Sequence, residues 1–154
     1  MSNKPKRILL LDDDYESMHD LKSYLEEELG WEVEFSAEKN LLQRLGQEQF
    51  DLLLVDVMIR PKNIGPNSQE VENIHYDNVK WDHTGLEFIR RFRQGEYSQE
   101  GMGTSRNVPL IALSAVADSA ADGEWGKIIQ NEHCVEKPFR LSELIKLVQK
   151  LLQE

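Results

Sequence analysis

Cysteine is almost absent from this sequence: Cys134 is the only one among 154 residues, so no disulfide can form within the chain. A chain without disulfides is typical of a reducing compartment. Long apolar runs are also missing. None approaches the ~18 residues of a membrane span, and the run at 8–11 is shorter than the roughly 7–15 residues of a signal-peptide core. We therefore expect a cytoplasmic protein that does not enter a membrane.

Basic residues are scarce relative to acidic ones. The sequence has 18 Lys and Arg against 28 Asp and Glu, which gives a formal net charge of −10. Such a charge repels phosphate backbones and anionic lipids, so we expect no direct binding to nucleic acid or membrane. The fingerprints GxGxxG and GxxxxGK[ST] are absent as well, which disfavours dinucleotide and nucleoside triphosphate use. The length and the 40% of hydrophobic residues predict a single domain over residues 1–154.

Short apolar segments recur along the chain and predict five buried strands. Continuous apolar runs of this length are typical of parallel strands that are covered on both faces. The predicted strands cover 7–11, 31–35, 51–55, 108–113 and 133–136. Apolar residues spaced three and four apart predict the helices 16–29, 36–46, 85–93, 119–131 and 141–152, the second of which has Ser36 as its N-cap.

The alternation of strands and helices predicts a parallel sheet with helices on both faces. Five strands favour a flavodoxin-like doubly wound five-stranded parallel sheet, (βα)5, in which ligands bind at the carboxyl ends of the strands. The stretch 60–84, which contains Pro61, Gly65 and Pro66, interrupts this pattern. We predict that it is an irregular inserted loop, and we call it the insertion.

Polar side chains stand where the predicted strands end. Asp12 and Asp13 follow the first strand, Asp56 the third, Ser114 the fourth and Lys137 the fifth. Because carboxyl ends of parallel strands share one edge of a sheet, we expect these side chains to converge. Clustered carboxylates need a counter-charge, which Mg²⁺ can supply. A carboxylate nucleophile, a divalent cation and a lysine are the groups needed for phosphoryl transfer to an aspartate.

The chain resembles the receiver domains of two-component response regulators over essentially its whole length. Four segments carry the resemblance, in the order LLLDDD, LLLVD, LIALSA and VEKPF. The resemblance implies that Asp56 is the phosphoacceptor. It also implies that Mg²⁺ is held by the carboxylates of Asp56, Asp13 and Asp12, the last through water. The backbone carbonyl of Met58 would be a further metal ligand.

The resemblance also implies roles for the remaining strand-end residues and for partners. Ser114 would be the switch hydroxyl, and Lys137, which precedes a proline that is often cis, would bind the phosphoryl group. A histidine kinase or a histidine phosphotransfer protein would donate that group, and an unidentified downstream protein would receive the signal. Because no output domain follows the fifth predicted helix, we expect a stand-alone receiver.

Two features depart from the receiver pattern. In receiver domains a glycine usually stands shortly after the acceptor aspartate. Here that glycine corresponds to Gly85. The connection that follows the third strand is therefore much longer than a typical connection of ~4–6 residues. The position of the usual aromatic switch residue holds Cys134 instead. We predict that Cys134 is a small buried hydrophobic residue.

Other functions stay open. The chain could be a receiver-like interaction module that does not depend on phosphorylation, which the missing aromatic residue and the insertion favour. A haloacid-dehalogenase-like phosphatase also uses an aspartate nucleophile, and Asp12-x-Asp14 imitates its motif. That family needs an acidic pair after its lysine, however, and only Glu143 and Glu154 follow Lys137.

The role of the insertion is also open. It contains several side chains that bind metals or partners: His75, Tyr76, Asp77, Trp81, Asp82 and His83. The insertion could form a partner-docking surface, fold over the site, or hold a second metal ion.

Overall fold

The computed structural model describes residues 5–65, 67–98, 102–114 and 123–152. The strands are β1 (Arg7–Leu11), β2 (Glu32–Phe35), β3 (Leu52–Asp56), β4 (Lys62–Ile64), β5 (Glu70–Glu72), β6 (Leu110–Ser114) and β7 (His133–Glu136). The α-helices are α1 (His19–Glu27), α2 (Leu41–Leu45), α3 (Thr84–Arg93), α4 (Gly123–Gln130) and α5 (Leu141–Leu151), and a 3₁₀ turn covers Trp81–His83. Within these ranges no helix has the length and apolar character needed to span a bilayer.

Five strands form one parallel sheet in the order β2-β1-β3-β6-β7. This is the strand order of flavodoxin-like sheets, in which the direction of winding reverses beside the first strand. The structure therefore confirms the predicted (βα)5 doubly wound sheet. The reversal leaves the ends of β1 and β3 side by side at the edge where ligands bind in such sheets.

Both faces of the sheet are buried, because successive side chains of each strand point into opposite apolar layers. On one face, Leu9 and Leu11 of β1 pack in a layer that α2, α3 and α4 cover. On the other face, Ile8 and Leu10 pack in a layer that α1 and α5 cover. This two-sided burial explains why β1 and β3 have continuous apolar sequences rather than alternating ones.

Several element boundaries differ from the sequence-based predictions. The fourth strand of the sheet, β6, begins at Leu110 rather than at residue 108 and includes Ser114. Ser36 does not cap α2, which begins at Leu41 with Asn40 as its N-cap. The Ser36 hydroxyl instead accepts a hydrogen bond from the Glu38 backbone N–H at 3.0 Å, which closes a local turn. Residues 119–122 of the predicted fourth helix lie outside the described residues.

The described residues of the insertion contain regular structure where the sequence predicted an irregular loop. The short strands β4 and β5 pair antiparallel as a hairpin, with Asn63 opposite Val71. The hairpin is tied to the connection between β2 and α2, because Ile74 N–H donates to the carbonyl of Ala37 at 3.0 Å and Lys39 N–H donates to Glu72 at 3.2 Å. We call this element the β4–β5 hairpin.

The end of the insertion packs on α3. The Tyr76 and Tyr97 hydroxyls lie 2.6 Å apart, and the Arg91 guanidinium lies 4.5 Å from the centre of the Tyr76 ring. Tyr97 in turn stacks on Phe88 of the buried layer. The insertion therefore belongs to the packed body of the protein at both of its ends.

Candidate functional site

Three carboxylates meet at the carboxyl edge of the sheet. Asp12 and Asp13 follow β1 directly, and Asp56 is the last residue of the adjacent strand β3. One oxygen from each carboxylate can be chosen so that all three lie within 4.8 Å of one another. Asp12 is fully buried, and the other two residues are each 5% exposed. We call these three residues the acidic triad.

Lys137 reaches the acidic triad from the position after β7. Its Nζ donates a hydrogen bond to Asp12 Oδ2 at 2.7 Å and lies 3.7 Å from Asp56 Oδ1. Burial opposes the charged ammonium, but the carboxylates of Asp12 and Asp56 outweigh it and raise the pKa of Lys137. Lys137 is thus a cation between two members of the triad. The peptide bond to Pro138 is cis.

One lysine does not balance the triad electrostatically. Burial raises the pKa of Asp56 to about 8, and the neighbouring Asp12 carboxylate adds to that effect. Burial also raises the pKa of Asp12, against the lowering influence of Lys137. Clustered carboxylate oxygens are the ligands that hard divalent cations prefer, and Mg²⁺ binds to one or two carboxylates together with waters and phosphate oxygens. The donor set therefore fits Mg²⁺.

Close backbone packing fixes the position of Asp56. Val57 N–H donates to the carbonyl of Leu113 at 2.9 Å, and Gly85 N–H donates to the carbonyl of Val57 at 2.9 Å. A Cβ atom on Gly85 would lie 2.0 Å from the backbone oxygen of Asp56. The first turn of α3 therefore rests directly on the end of β3, which only a glycine at position 85 permits.

Met58 and Ser114 lie at the same edge as the triad. The Met58 backbone N–H donates to Asp56 Oδ1 at 3.4 Å, so the chain turns around the carboxylate. Ser114 is buried and follows Leu113, the residue that lies opposite Asp56 in the pairing of β3 with β6. Its carbonyl accepts a hydrogen bond from the backbone N–H of Lys137 at 2.8 Å. The metal-ligand role of the Met58 carbonyl and the switch role of the Ser114 hydroxyl stay predictions.

Arg60 is a site residue that the sequence analysis missed. Its backbone N–H and its Nε both donate to Asp13 Oδ2, at 3.0 and 2.9 Å. The Arg60 side chain is 54% exposed, whereas that of Asp13 is 5% exposed. The only signal in the sequence is a basic residue shortly after Asp56, and many loops contain one.

The insertion borders the site rather than lying apart from it. A cleft of about 630 Å³ opens beside Asp13, with Arg60, Asn63 and Ile64 on its insertion side and Glu16 on the other. Among the described residues, the acidic triad is the one group whose side chains could hold a metal ion. The described residues of the insertion therefore give no support for a second metal site.

The prediction that Cys134 is buried was wrong. Cys134 is exposed. It lies on β7, which is the last strand in the sheet order and pairs with β6. Burial of part of the side chain raises the pKa of its thiol. An edge strand with a polar residue at each end, His133 and Glu136, leaves the side chain between them only partly covered.

The fold of this chain is similar to those of several solved structures. A putative response regulator from Chloroflexus aurantiacus has a TM-score of 0.64 at 24% identity, covering 98% of this chain and 100% of that chain. A CheY-like response regulator receiver domain from Methanospirillum hungatei has a TM-score of 0.62 at 21% identity, covering 97% and 95%.

A third structure is relevant to the metal. The receiver domain of a sensor histidine kinase from Pseudomonas aeruginosa, with a magnesium ion coordinated in its active-site cleft, has a TM-score of 0.60 at 21% identity, covering 98% of this chain and 100% of that chain. No protein-family model and no curated protein sequence matches this chain. The fold is therefore that of CheY-like response regulator receiver domains, over nearly the whole chain.

Proposed function

We propose that this chain is a receiver domain of two-component signalling, folded as one domain over residues 1–154, that accepts a phosphoryl group on Asp56. The observation that carries the proposal is the placement of Asp56. Its carboxylate ends β3 within the acidic triad, 3.7 Å from the Lys137 ammonium. The similar solved structures are receiver domains and response regulators, which supports a phosphoacceptor role for this chain.

The proposed reaction needs few groups from the protein. An Asp56 carboxylate oxygen attacks the phosphorus of a phosphohistidine; the O–P bond forms as the N–P bond breaks, and the donor imidazole leaves with a proton. Lys137 places a positive charge beside the transferred oxygens. The carboxylates of Asp12, Asp13 and Asp56 and the Met58 carbonyl would hold Mg²⁺, which would supply positive charge beside those oxygens.

The partners follow from this chemistry. A histidine kinase or a histidine phosphotransfer protein donates the phosphoryl group. The acyl phosphate on Asp56 adds negative charge and strong acceptor oxygens. The Ser114 hydroxyl turns toward these oxygens and changes the affinity for an unidentified downstream protein.

The net charge of −10 disfavours nucleic acid and anionic membranes as direct partners. The proposed location is the cytoplasm.

Phosphoramidate tests the proposal without a known partner, because its N–P bond stands in for phosphohistidine. We expect the wild-type protein to gain the mass of one phosphoryl group when it is incubated with phosphoramidate and MgCl₂. The gain should disappear in excess EDTA. Intact-protein mass spectrometry of freshly treated samples measures both. Labelling that is unaffected by EDTA, or that is absent at saturating Mg²⁺, would overturn the proposal.

The second candidate is a receiver-like interaction module that works without phosphorylation. The observation that favours it is the exposed Cys134 where many receivers have an aromatic switch residue. The presence of the acidic triad and Lys137 disfavours this function, because an interaction module that is not phosphorylated does not need these residues. Binding of a captured partner with and without beryllofluoride separates the two functions, since only the receiver is expected to respond.

A further inference from the structure

The contact between Arg60 and Asp13 brings a second cation to the acidic triad. Asp13 Oδ2 accepts two hydrogen bonds from Arg60, one from the backbone N–H and one from Nε. These two donors engage both lone pairs of that oxygen. A divalent cation that approaches Asp13 therefore meets one of its two carboxylate oxygens already occupied and a positive charge already in place.

The backbone of Arg60 is held independently of its side chain. The buried Asn73 side chain donates from Nδ2 to the Arg60 carbonyl at 2.9 Å and to Asn63 Oδ1 at 2.8 Å. Asn63 Nδ2 in turn donates to the backbone carbonyl of Asp13 at 2.7 Å. Asn63 of β4 and Asn73 after β5 thus hold the Arg60 backbone N–H against Asp13, so we expect this hydrogen bond to remain when the Arg60 side chain is truncated.

The guanidinium and the backbone N–H therefore make separable contributions. The backbone N–H orients the Asp13 carboxylate and carries no net charge. The guanidinium adds a unit charge that repels a divalent cation, and because the Arg60 side chain is half exposed it can leave the carboxylate without unfolding the hairpin.

We propose that Arg60 is a positioning residue of the cation site, whose guanidinium competes with the divalent cation for Asp13 while its backbone N–H keeps that carboxylate oriented. The inference rests on the proposed function, because it takes the acidic triad as the Mg²⁺ site. It makes cation binding weaker than the three carboxylates alone would give.

Calorimetric titration of the 154-residue protein with MgCl₂ at constant ionic strength tests the inference. We expect Arg60→Ala to bind Mg²⁺ roughly three- to tenfold more tightly than the wild type, because a unit charge near a divalent ion has been removed from a partly screened site. Arg60→Lys keeps a positive charge and should remain within about twofold of the wild-type affinity. Arg106→Ala removes an exposed arginine at the opposite end of β6 and should also remain within about twofold.

Each other result overturns a defined part of this account. Unchanged or weaker Mg²⁺ binding by Arg60→Ala overturns the competition, as does an equal gain in Arg60→Ala and Arg60→Lys. An equal gain in Arg106→Ala would assign the effect to overall charge and not to the contact with Asp13. If the wild type binds Mg²⁺ but the affinities of the Arg60 variants differ from those expected, the inference about Arg60 fails and the proposed function does not. If none of the four proteins binds Mg²⁺, the proposed site fails with it.

Discussion

We expect Asp56→Asn to abolish Mg²⁺-dependent labelling of this protein by acetyl phosphate. An amide has neither the charge nor the nucleophilic oxygen of a carboxylate, so no acyl phosphate can form at this position. Intact-protein mass spectrometry should show the labelled fraction fall below detection. Asp20→Asn removes an exposed carboxylate on α1 and should label as the wild type does. Full-stoichiometry labelling of Asp56→Asn would contradict the assignment of the phosphoacceptor.

The stability of Asp56→Asn separates lost chemistry from lost structure. Burial raises the pKa of Asp56 from its ordinary value of 3.8 to about 8. Between these pH values Asp56 binds more protons in the folded protein than in the unfolded chain, so this residue makes the cation-free protein less stable as the pH rises from about 4 to about 8.

Asp56→Asn removes this ionisation and should flatten the pH dependence. Urea unfolding in EDTA at pH 5 and pH 8 measures the pH dependence of the free energy of unfolding. We expect the variant to unfold at a higher urea concentration than the wild type at pH 8 and to differ less at pH 5. A variant that is less stable than the wild type at pH 8 would show that the buried carboxylate is not a source of instability.

Gly85→Ala is expected to destabilise the protein by about 3 kcal/mol or more, because overpacking against an immovable neighbour exceeds the usual range of core insertions. The added Cβ would lie 2.0 Å from the Asp56 backbone oxygen and 2.7 Å from Val57 Cα. Both are backbone atoms of the chain at the end of β3, so neither can rotate away. In a chain of this size the melting temperature should fall by roughly 6–12 °C.

The sign of the Gly85→Ala effect is informative in itself. Glycine to alanine in a helix ordinarily stabilises by up to ~1 kcal/mol, so a loss can only come from the contact with β3. Gly30→Ala is the control: its φ of +68° disfavours alanine, but no atom lies within 4 Å of the added Cβ. We expect a loss of roughly 1–2 kcal/mol there. Equal losses at the two positions would argue against the close approach of α3 to Asp56.

The core of the fold and most of the candidate site could be predicted from the sequence, because both depend on strong local patterns. Apolar runs such as 7–11 and 52–55 are buried on both faces and have few other uses. The polar residue after each run then lies at a predictable edge of a parallel sheet. The chain positions of Asp12 and Asp56 alone were therefore enough to predict that they lie close together.

The β4–β5 hairpin could not be predicted in the same way. Its strands have three residues each, and the segments KNI and EVE expose two of every three side chains. They carry too little apolar periodicity to distinguish a strand from a loop. The hairpin is held in place by hydrogen bonds between residues that are distant in the sequence, such as the Asn63 side chain with the Asp13 carbonyl and the Ile74 N–H with the Ala37 carbonyl. Arg60 was missed for the same reason.

The burial of Cys134 was predicted because free cysteines are among the most buried residue types, and the prediction failed because the residue lies on the edge strand β7. Its position in the sheet order depends on the path of the whole chain and not on the local sequence. The residues flanking Cys134, with His133 and Glu136 exposed, carry the weaker signal of an uncovered strand. That signal is visible only by comparison with β1 and β3, each of which has four consecutive apolar residues.

A crystal structure grown with Mg²⁺ and beryllofluoride tests the central claim most directly. We expect beryllium to be bonded to an Asp56 carboxylate oxygen, with the Lys137 ammonium beside a fluoride. We expect Mg²⁺ to be coordinated by oxygens of the acidic triad and the Met58 carbonyl. Beryllofluoride on another residue, or Mg²⁺ bound away from Asp12, Asp13 and Asp56, would contradict the account.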